Sequence, residues 1–410
     1  MGEPKLRFKA DDGSDFSGWE EKTLGELCAP LTYGMNAAAT KFDGENRYIR
    51  ITDIDDETHA LLPNDIVSPS GELDDKYLVK KGDILLARTG ASTGKSFLYH
   101  PKDGKLFYAG FLIKAHVLPS SDDYFIYSQT LTDRYWKWVK TASMRSGQPG
   151  INANEYASYS FAVPSLPEQR KIADFLSAVD AVIAAQQAEV DAWEQRKKGV
   201  MQKLFSQEVR FKADDGSEFP EWEEKTLGEL GTFTKGAALS KADISDDGRP
   251  LILYGELYTT YNEVAVHIVR HTEQNVADRF LSRVGDVLIP TSGETAEEIA
   301  TATCVMQEGV VLAGDLYIYR TVDELDGRIA SYLLNHSVNK KISNIAQGKS
   351  VVHIQAKELS KVIMSYPASL EEQRKIADCL ASMDEVIRKA KDELAKWQEL
   401  KKGLLQQMFV

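Results

Sequence analysis

Mostly apolar side chains recur at alternating intervals of four and three residues through Ile172, Leu176, Val179, Ile183, Gln186, Val190, Trp193, Lys197, Val200 and Leu204. That 3.5-residue period is the signature of a helix that lays one stripe against another helix. From Glu168 to about Phe205 there is no proline, and Gly199 is the only glycine. The pattern returns as Ile376, Leu380, Met383, Ile387, Ala390, Leu394, Trp397, Lys401, Leu404 and Met408, with tryptophan and lysine at the same places in the stripe. Five heptads extend roughly 50 Å at about 1.5 Å per residue. So long a stripe needs a covering partner, and the other copy is the nearest. Related by a pseudo-two-fold axis, the two would pair as an antiparallel coiled coil. The plainer alternative is an amphipathic helix packed on its own domain. Ser165 and Ser369 stand as N-caps with Glu168 and Glu372 three residues on, the capping-box spacing.

The segments between the helices show shorter periods. Leu106–Leu118 and Gly309–Arg320 read as strands bounded by turn signals, and Lys80–Gly90 (KKGDILLARTG) aligns with Arg283–Gly293 (RVGDVLIPTSG). A helical stretch closes each segment, at Tyr124–Thr141 and about Arg328–Ile345. The expected fold class is therefore α+β: two similar mixed domains, each followed by a long helix.

Duplication extends beyond the helices. Arg7–Leu27 and Arg210–Leu230 differ only at Asp15/Glu218, Ser17/Pro220 and Gly18/Glu221, and Leu166–Asp180 echoes Leu370–Asp384. The inserts these frames enclose, about Leu31–Pro164 and Gly231–Pro367, match poorly. Two near-identical frames around two divergent inserts is the layout of a scaffold that presents two different readers. The partition is residues 1–164, 165–206, 207–367 and 368–410, as domain, helix, domain, helix.

The formal net charge of −13 argues against a free-standing partner of nucleic acid. Local distribution matters more than the sum. After each closing helix comes a glycine-bearing loop, Ser143–Tyr156 and Ala346–Leu359, in a locally basic region. Arg134, Lys137, Lys140 and Arg145 accompany Tyr135, Trp136 and Trp138; Lys340, Lys341, Lys349, Lys357 and Lys361 accompany His336 and His353. Basic side chains supply phosphate contacts, while Arg, Asn and Gln can read base edges, which adds Gln148, Asn152 and Gln355. The competing reading makes the tryptophans core and the lysines a solvated face. Gly90–Ser96 (GASTGKS) resembles a phosphate loop but has three residues between its glycines where the pattern needs four. It reads better as a tight turn, or as a basic loop that turns Arg88 and Lys95 to phosphate. The polar cluster Glu168, Gln169, Arg170 and its twin Glu372, Gln373, Arg374 reads either as a solvated face or as a docking surface for a partner protein.

Other chemistry is missing from the sequence. Cys28, Cys304 and Cys379 have no metal-ligand spacing and fit small buried hydrophobes in a reducing compartment. His267 and His271 stand four apart without a third ligand nearby. No nucleophile elbow, dinucleotide fingerprint or methylation motif appears. There is no apolar run long enough to span a bilayer and no signal peptide, so a cytoplasmic location is expected.

The frame LRFKADDGSDFSGWEEKTLGEL, its repeat at Val209–Leu230, the EQRKIA helix heads at Glu168 and Glu372, and the alternation of variable segment and helix resemble the specificity subunit of type I restriction–modification systems, over essentially the whole chain. The resemblance implies that each variable domain is a target-recognition domain reading one half of a split, asymmetric DNA target. It implies that the coiled coil sets the spacing and docks two methyltransferase subunits, which two ATP-dependent restriction subunits can join. S-adenosylmethionine, ATP and Mg would then lie on those partners, with no cofactor, metal or catalysis in this chain. A related type IIB-like methyltransferase–nuclease system and a two-domain protein-binding scaffold are the alternatives.

Overall fold

The computed structural model describes residues 4–144, 148–348 and 352–409. The chain divides into two compact units, Met1–Ala188 with Lys391–Val410, and Glu189–Ala390. Both divisions fall inside the long helices, Leu166–Phe205 and Leu370–Met408. This differs from a domain–helix–domain–helix partition, because each unit takes the head of one long helix and the tail of the other.

In the first unit the core joins Ile172 and Leu176 from the head of the first long helix to Leu405, Met408 and Phe409 from the tail of the second. In the second unit Met201 and Leu204 meet Ile376 and Leu380. Head packs on tail within each unit, so the two helices run antiparallel there. The lysines of the heptad stripe confirm the direction. Lys401 pairs with Asp180 at 2.7 Å in the first unit, and Lys197 pairs with Asp384 at 2.6 Å in the second. No stripe position is exposed.

The first unit holds a four-stranded antiparallel sheet in the order Thr32–Tyr33, Leu112–His116, Asp83–Ala87, Ser96–Leu98. The second holds a five-stranded sheet in the order Gly231–Lys235, Leu316–Thr321, Asp286–Pro290, Thr303–Val305, Val264–Ala265. The strands Asp83–Ala87 and Asp286–Pro290 are buried throughout, which fits their unbroken apolar runs. Each opens on an aspartate that accepts from the backbone three residues earlier, Lys80 and Arg283, and meets a nitrogen-bearing side chain across the sheet: Asp83 the His116 ring at 2.7 Å, Asp286 the Arg320 guanidinium at 3.1 Å.

The two frames fold alike. Glu20–Thr23 pairs antiparallel with Ser160–Val163, and Glu223–Thr226 with Ile363–Tyr366. The short helices that follow start in capping boxes, Thr23 with Glu26 and Thr226 with Glu229. A Cβ on Gly25 would stand 3.1 Å from the Ala157 carbonyl oxygen, and one on Gly228 3.1 Å from that of Ser360. The glycine of each LGEL segment is there for that close approach.

Two expectations about helices need correction. The segments closing each insert are pairs of helices, Asp123–Gln129 with Asp133–Ala142 and Gly327–His336 with Asn339–Ile345. In the first, Thr130 and Thr132 turn their hydroxyls back onto Tyr127 and Gln129, and Thr132 then caps the next helix. The capping boxes expected at Ser165 and Ser369 also give way. Glu168 and Glu372 are wholly buried and face Arg7 and Arg210.

Candidate nucleic-acid interface

The loops at one end of each insert are tied by the same backbone hydrogen bonds, although their side chains differ. In the first unit Arg88 N–H donates to the Phe111 carbonyl (3.0 Å), Ile151 N–H to Arg88 (3.0 Å), Gly110 N–H to Met35 (2.8 Å) and Gly34 N–H to Leu112 (3.1 Å). In the second, Thr291 donates to Asp315 (2.8 Å), Ile354 to Thr291 (3.1 Å), Gly314 to Ala237 (2.8 Å) and Gly236 to Leu316 (3.0 Å). The bridge Thr89–Gly150 matches Ser292–His353. Even the anchor of the next helix recurs: Ala153 N–H donates to the Tyr33 hydroxyl and Ala356 N–H to the Tyr317 hydroxyl, both at 3.1 Å. The tyrosine has moved to the neighbouring strand, yet its oxygen reaches the matching amide. Gly34 cannot carry a side chain, since its Cβ would lie 2.2 Å from the Ala109 oxygen.

On this shared frame stand unlike groups. The first unit presents Arg88, Tyr33, Phe111 and Gln148, with Phe111 63% exposed. Arg88 lies over the Tyr33 ring, 5.0 Å from its centroid, and its Nη1 donates to the Gly110 carbonyl at 3.4 Å. The second presents Thr291, Lys235, Asp315 and His353 at the matching positions or beside them. A cavity of about 960 Å³ opens next to them, lined in part by Lys241, Tyr254 and Arg270. Asp315 accepts from the Ser292 hydroxyl at 3.0 Å.

The basic residues singled out in the sequence take different places. Lys137 and Lys140 are exposed on the helix Asp133–Ala142, and Lys340 is exposed on Asn339–Ile345. Trp136 is 38% exposed beside Gly94, so the 89–95 turn, this helix and the Gln148–Ile151 loop form one surface. Trp138 packs among Tyr135, Tyr156 and Tyr159 and belongs to the core. Arg134 pairs with Glu21 at 3.2 Å. Lys341 donates to the Ile363 carbonyl at 3.0 Å. Gln355 and His353 are exposed. Arg145 and Lys349 lie outside the described residues.

Lys95 does not face phosphate. It is 5% exposed, and its Nζ donates to the Ile54 carbonyl (2.7 Å) and to Asp56 (2.6 Å). The segment around it is a tight turn closed by Thr93 on Gly90 (2.8 Å). Asn152 is occupied as the cap of Ala153–Ala157, with its side-chain oxygen on the Glu155 amide.

The docking cluster separates into inner and outer members. Glu168 accepts from Arg7 at 2.8 and 3.0 Å and from Trp19 at 3.3 Å; Glu372 accepts from Arg210 at 3.0 and 2.8 Å. Gln169 bonds Asp122 N–H and the Pro164 carbonyl, and Gln373 bonds Asp326 N–H with the Pro367 carbonyl. All four are buried, clamping the frame and the closing helix to the head of the long helix. They offer no face to a partner; Arg170 and Arg374 remain exposed.

Sequence reasoning missed Tyr33, Phe111, Lys235, Thr291 and Asp315. The alignment of GDILLARTG with GDVLIPTSG already set Thr291 opposite Arg88. Phe111 and Asp315 were hidden in runs read as single strands, which in fact turn at Ala109–Gly110 and at Gly314. Burial holds the Cys28 thiol up at about 12 and Cys304 higher still, so both behave as inert apolar groups. Among the described residues no cluster of His, Cys, Asp or Glu could hold a metal ion, and no helix is long and apolar enough to cross a membrane.

Residues 17–192 and 220–396 each match the type I restriction modification DNA specificity domain. The chain belongs to that family. It carries the domain twice, and the duplicated frames and helix heads are the parts its two copies share most closely. Among curated relatives, the type I restriction enzyme MjaVIII specificity subunit of Methanocaldococcus jannaschii is 24% identical over 340 residues, covering 78% of this chain and 77% of that protein. The putative MjaX specificity subunit of the same organism is 25% identical over 414 positions, covering 95% and 92%. In fold the chain is similar to the type I restriction–modification S subunit of M. genitalium, with a TM-score of 0.63, 17% identity and coverage of 100% and 99%. A second solved chain, from a study of type I restriction–modification complex assembly, gives a TM-score of 0.54 at 20% identity over 95% of this chain.

Proposed function

We propose that each unit of this specificity-family chain reads one half of a bipartite, asymmetric duplex target, and that the chain hands that address to catalytic partners. The observation that carries this reading is the pair of loop frames with matching backbone bonds and unlike side chains. A fold repeated for stability alone gives no reason for its exposed face to diverge while its backbone stays fixed. Two different faces cannot read a perfect palindrome, because a palindrome demands identical halves.

Exposed Lys137, Lys140 and Lys340 supply phosphate contacts around these faces. With a net charge of −13, the chain needs cationic help to hold a duplex, which fits binding as part of a larger complex. Two methyltransferase subunits dock on the duplicated frames and helix heads, where the near-identical exposed residues include Arg170 and Arg374. Two ATP-dependent restriction subunits join where the system cleaves. S-adenosylmethionine, ATP and Mg act on those partners, and this chain works as a non-catalytic cytoplasmic subunit. The helix length between the two units fixes the gap between half-sites.

The test is a mobility-shift assay of the chain with its methyltransferase subunit on a random-sequence duplex library. Saturable enrichment of a split, non-palindromic motif is expected. Binding to no duplex overturns the reading and favours a protein-binding scaffold.

A further inference from the structure

We infer that Arg88 reads a guanine in the half-site met by the first unit, through the major-groove edge of the base. The inference rests on the DNA-reading function proposed above and names a residue and a base within it.

In this acidic chain most partly buried arginines are matched to carboxylates. Arg7 faces Glu168, Arg50 faces Asp53, Arg210 faces Glu372, Arg320 faces Asp286 and Arg328 faces Asp326. Arg88 is also partly buried, but among the described residues its guanidinium has no carboxylate within ion-pair distance. It rests on the Tyr33 ring at 5.0 Å and makes one long hydrogen bond, 3.4 Å, to the Gly110 carbonyl. Those contacts orient the planar group without using up its donors. Taking a guanidinium partly out of water with a single long hydrogen bond and no countercharge is unfavourable, so the arrangement suits a further acceptor that arrives from outside.

The form of that acceptor follows from the geometry. A phosphate contact needs only charge, and the exposed Lys137 and Lys140 of the same surface provide it on flexible stems. Arg88 is instead held by its backbone, which accepts from Ile151 and donates to Phe111, and by a ring face. A fixed planar fork matches a pair of acceptors in one plane, and guanine O6 and N7 are that pair in the major groove. Phe111, whose carbonyl accepts from the Arg88 amide, is 63% exposed, and the Gln148 amide stands 3.4 Å from where a Cβ on Gly90 would lie, two residues along the loop. In the second unit the equivalent residue is Thr291 and the ring at position 33 is replaced by Lys235, so the second half-site gains no such guanine contact.

The experiment uses the full chain with its methyltransferase subunit and maps the methylated motif on a random-sequence library. For Arg88→Ala, the requirement for one guanine in one half-site should disappear while the other half stays unchanged. Affinity for the original target should fall about 10- to 100-fold, the discrimination of a bidentate arginine–guanine pair. Arg88→Lys keeps the charge and guards against misfolding; it should retain binding to bulk duplex but lose most of the preference for that guanine. An unchanged motif, with affinity lowered equally for every duplex and a salt slope reduced by about one, would make Arg88 a phosphate contact and overturn the inference. Failure of the wild-type complex to mark any split motif would instead overturn the reading on which it rests.

Discussion

Glu168 and Glu372 illustrate how single residues hold each unit together. Each is fully buried and balanced by one arginine from a frame about 160 positions earlier in the chain. Arg7→Ala or Arg210→Ala leaves a carboxylate without its countercharge in the interior. Each should destabilise its unit by about 3–5 kcal/mol, read as a lower denaturant midpoint. The second unit adds a pH-sensitive cluster. Glu263 accepts from Lys197 at 2.8 Å and meets His336 at 2.5 Å, while Lys197 also holds Asp384, which accepts from Tyr332 at 2.6 Å. Burial pushes the Glu263 carboxyl up, but the His336 hydrogen bond and the Lys197 charge outweigh it and bring the pKa down from 4.5 to about 2. A depressed carboxylate pKa contributes stability at pH values above the unfolded value, and that contribution is lost as pH falls toward 2. The thermal stability of the second unit should therefore fall progressively as pH drops from about 4.5 to 2, read as a lower Tm. Glu263→Gln should remove part of that slope while lowering stability at neutral pH.

At the scale of elements, the short LGEL helices, the terminal strands and the long-helix heads act as one clamp. It is built twice from nearly the same sequence. Its tightest point is the glycine against the facing carbonyl, at 3.1 Å from an added Cβ in both copies. Gly25→Val and Gly228→Val should each cost about 1–3 kcal/mol through overpacking, measured by urea unfolding, with similar values in the two positions. The long helices were legible because a heptad period survives any context. The closing helices were legible in type but not in continuity, because the Thr130 and Thr132 hydroxyls compete for backbone carbonyls only once the neighbouring turn is in place. Ser165 and Glu168 carried the right spacing for a capping box, and the partly buried Arg7 took the glutamate instead.

For the molecule as a whole, the proposed reading makes the length of the two helices the determinant of the gap between half-sites. Inserting one heptad into both should add roughly 10 Å, about 3 base pairs, to the gap in the methylated motif. An unchanged gap would remove that role. Replacing the insert 31–164 with that of another family member should change one half of the motif and leave the other intact. Change in both halves would show that the units do not read independently.

The sequence by itself determined the duplication, the heptad helices and the family, because periodicity and near-identical frames are properties of residue order alone; that the helices run antiparallel within each unit took the tertiary contacts. The tertiary structure decided which polar residues are available. Lys95, Glu168 and Gln169 look like surface chemistry in one dimension, yet folding brings Asp56, Arg7 and the Asp122 amide to them and takes them out of water. Among the described residues Arg88 meets no carboxylate, because the fold brings it the Tyr33 ring and a single carbonyl instead. Pairing across the fold depends on contacts between residues far apart in the chain, which no local pattern encodes.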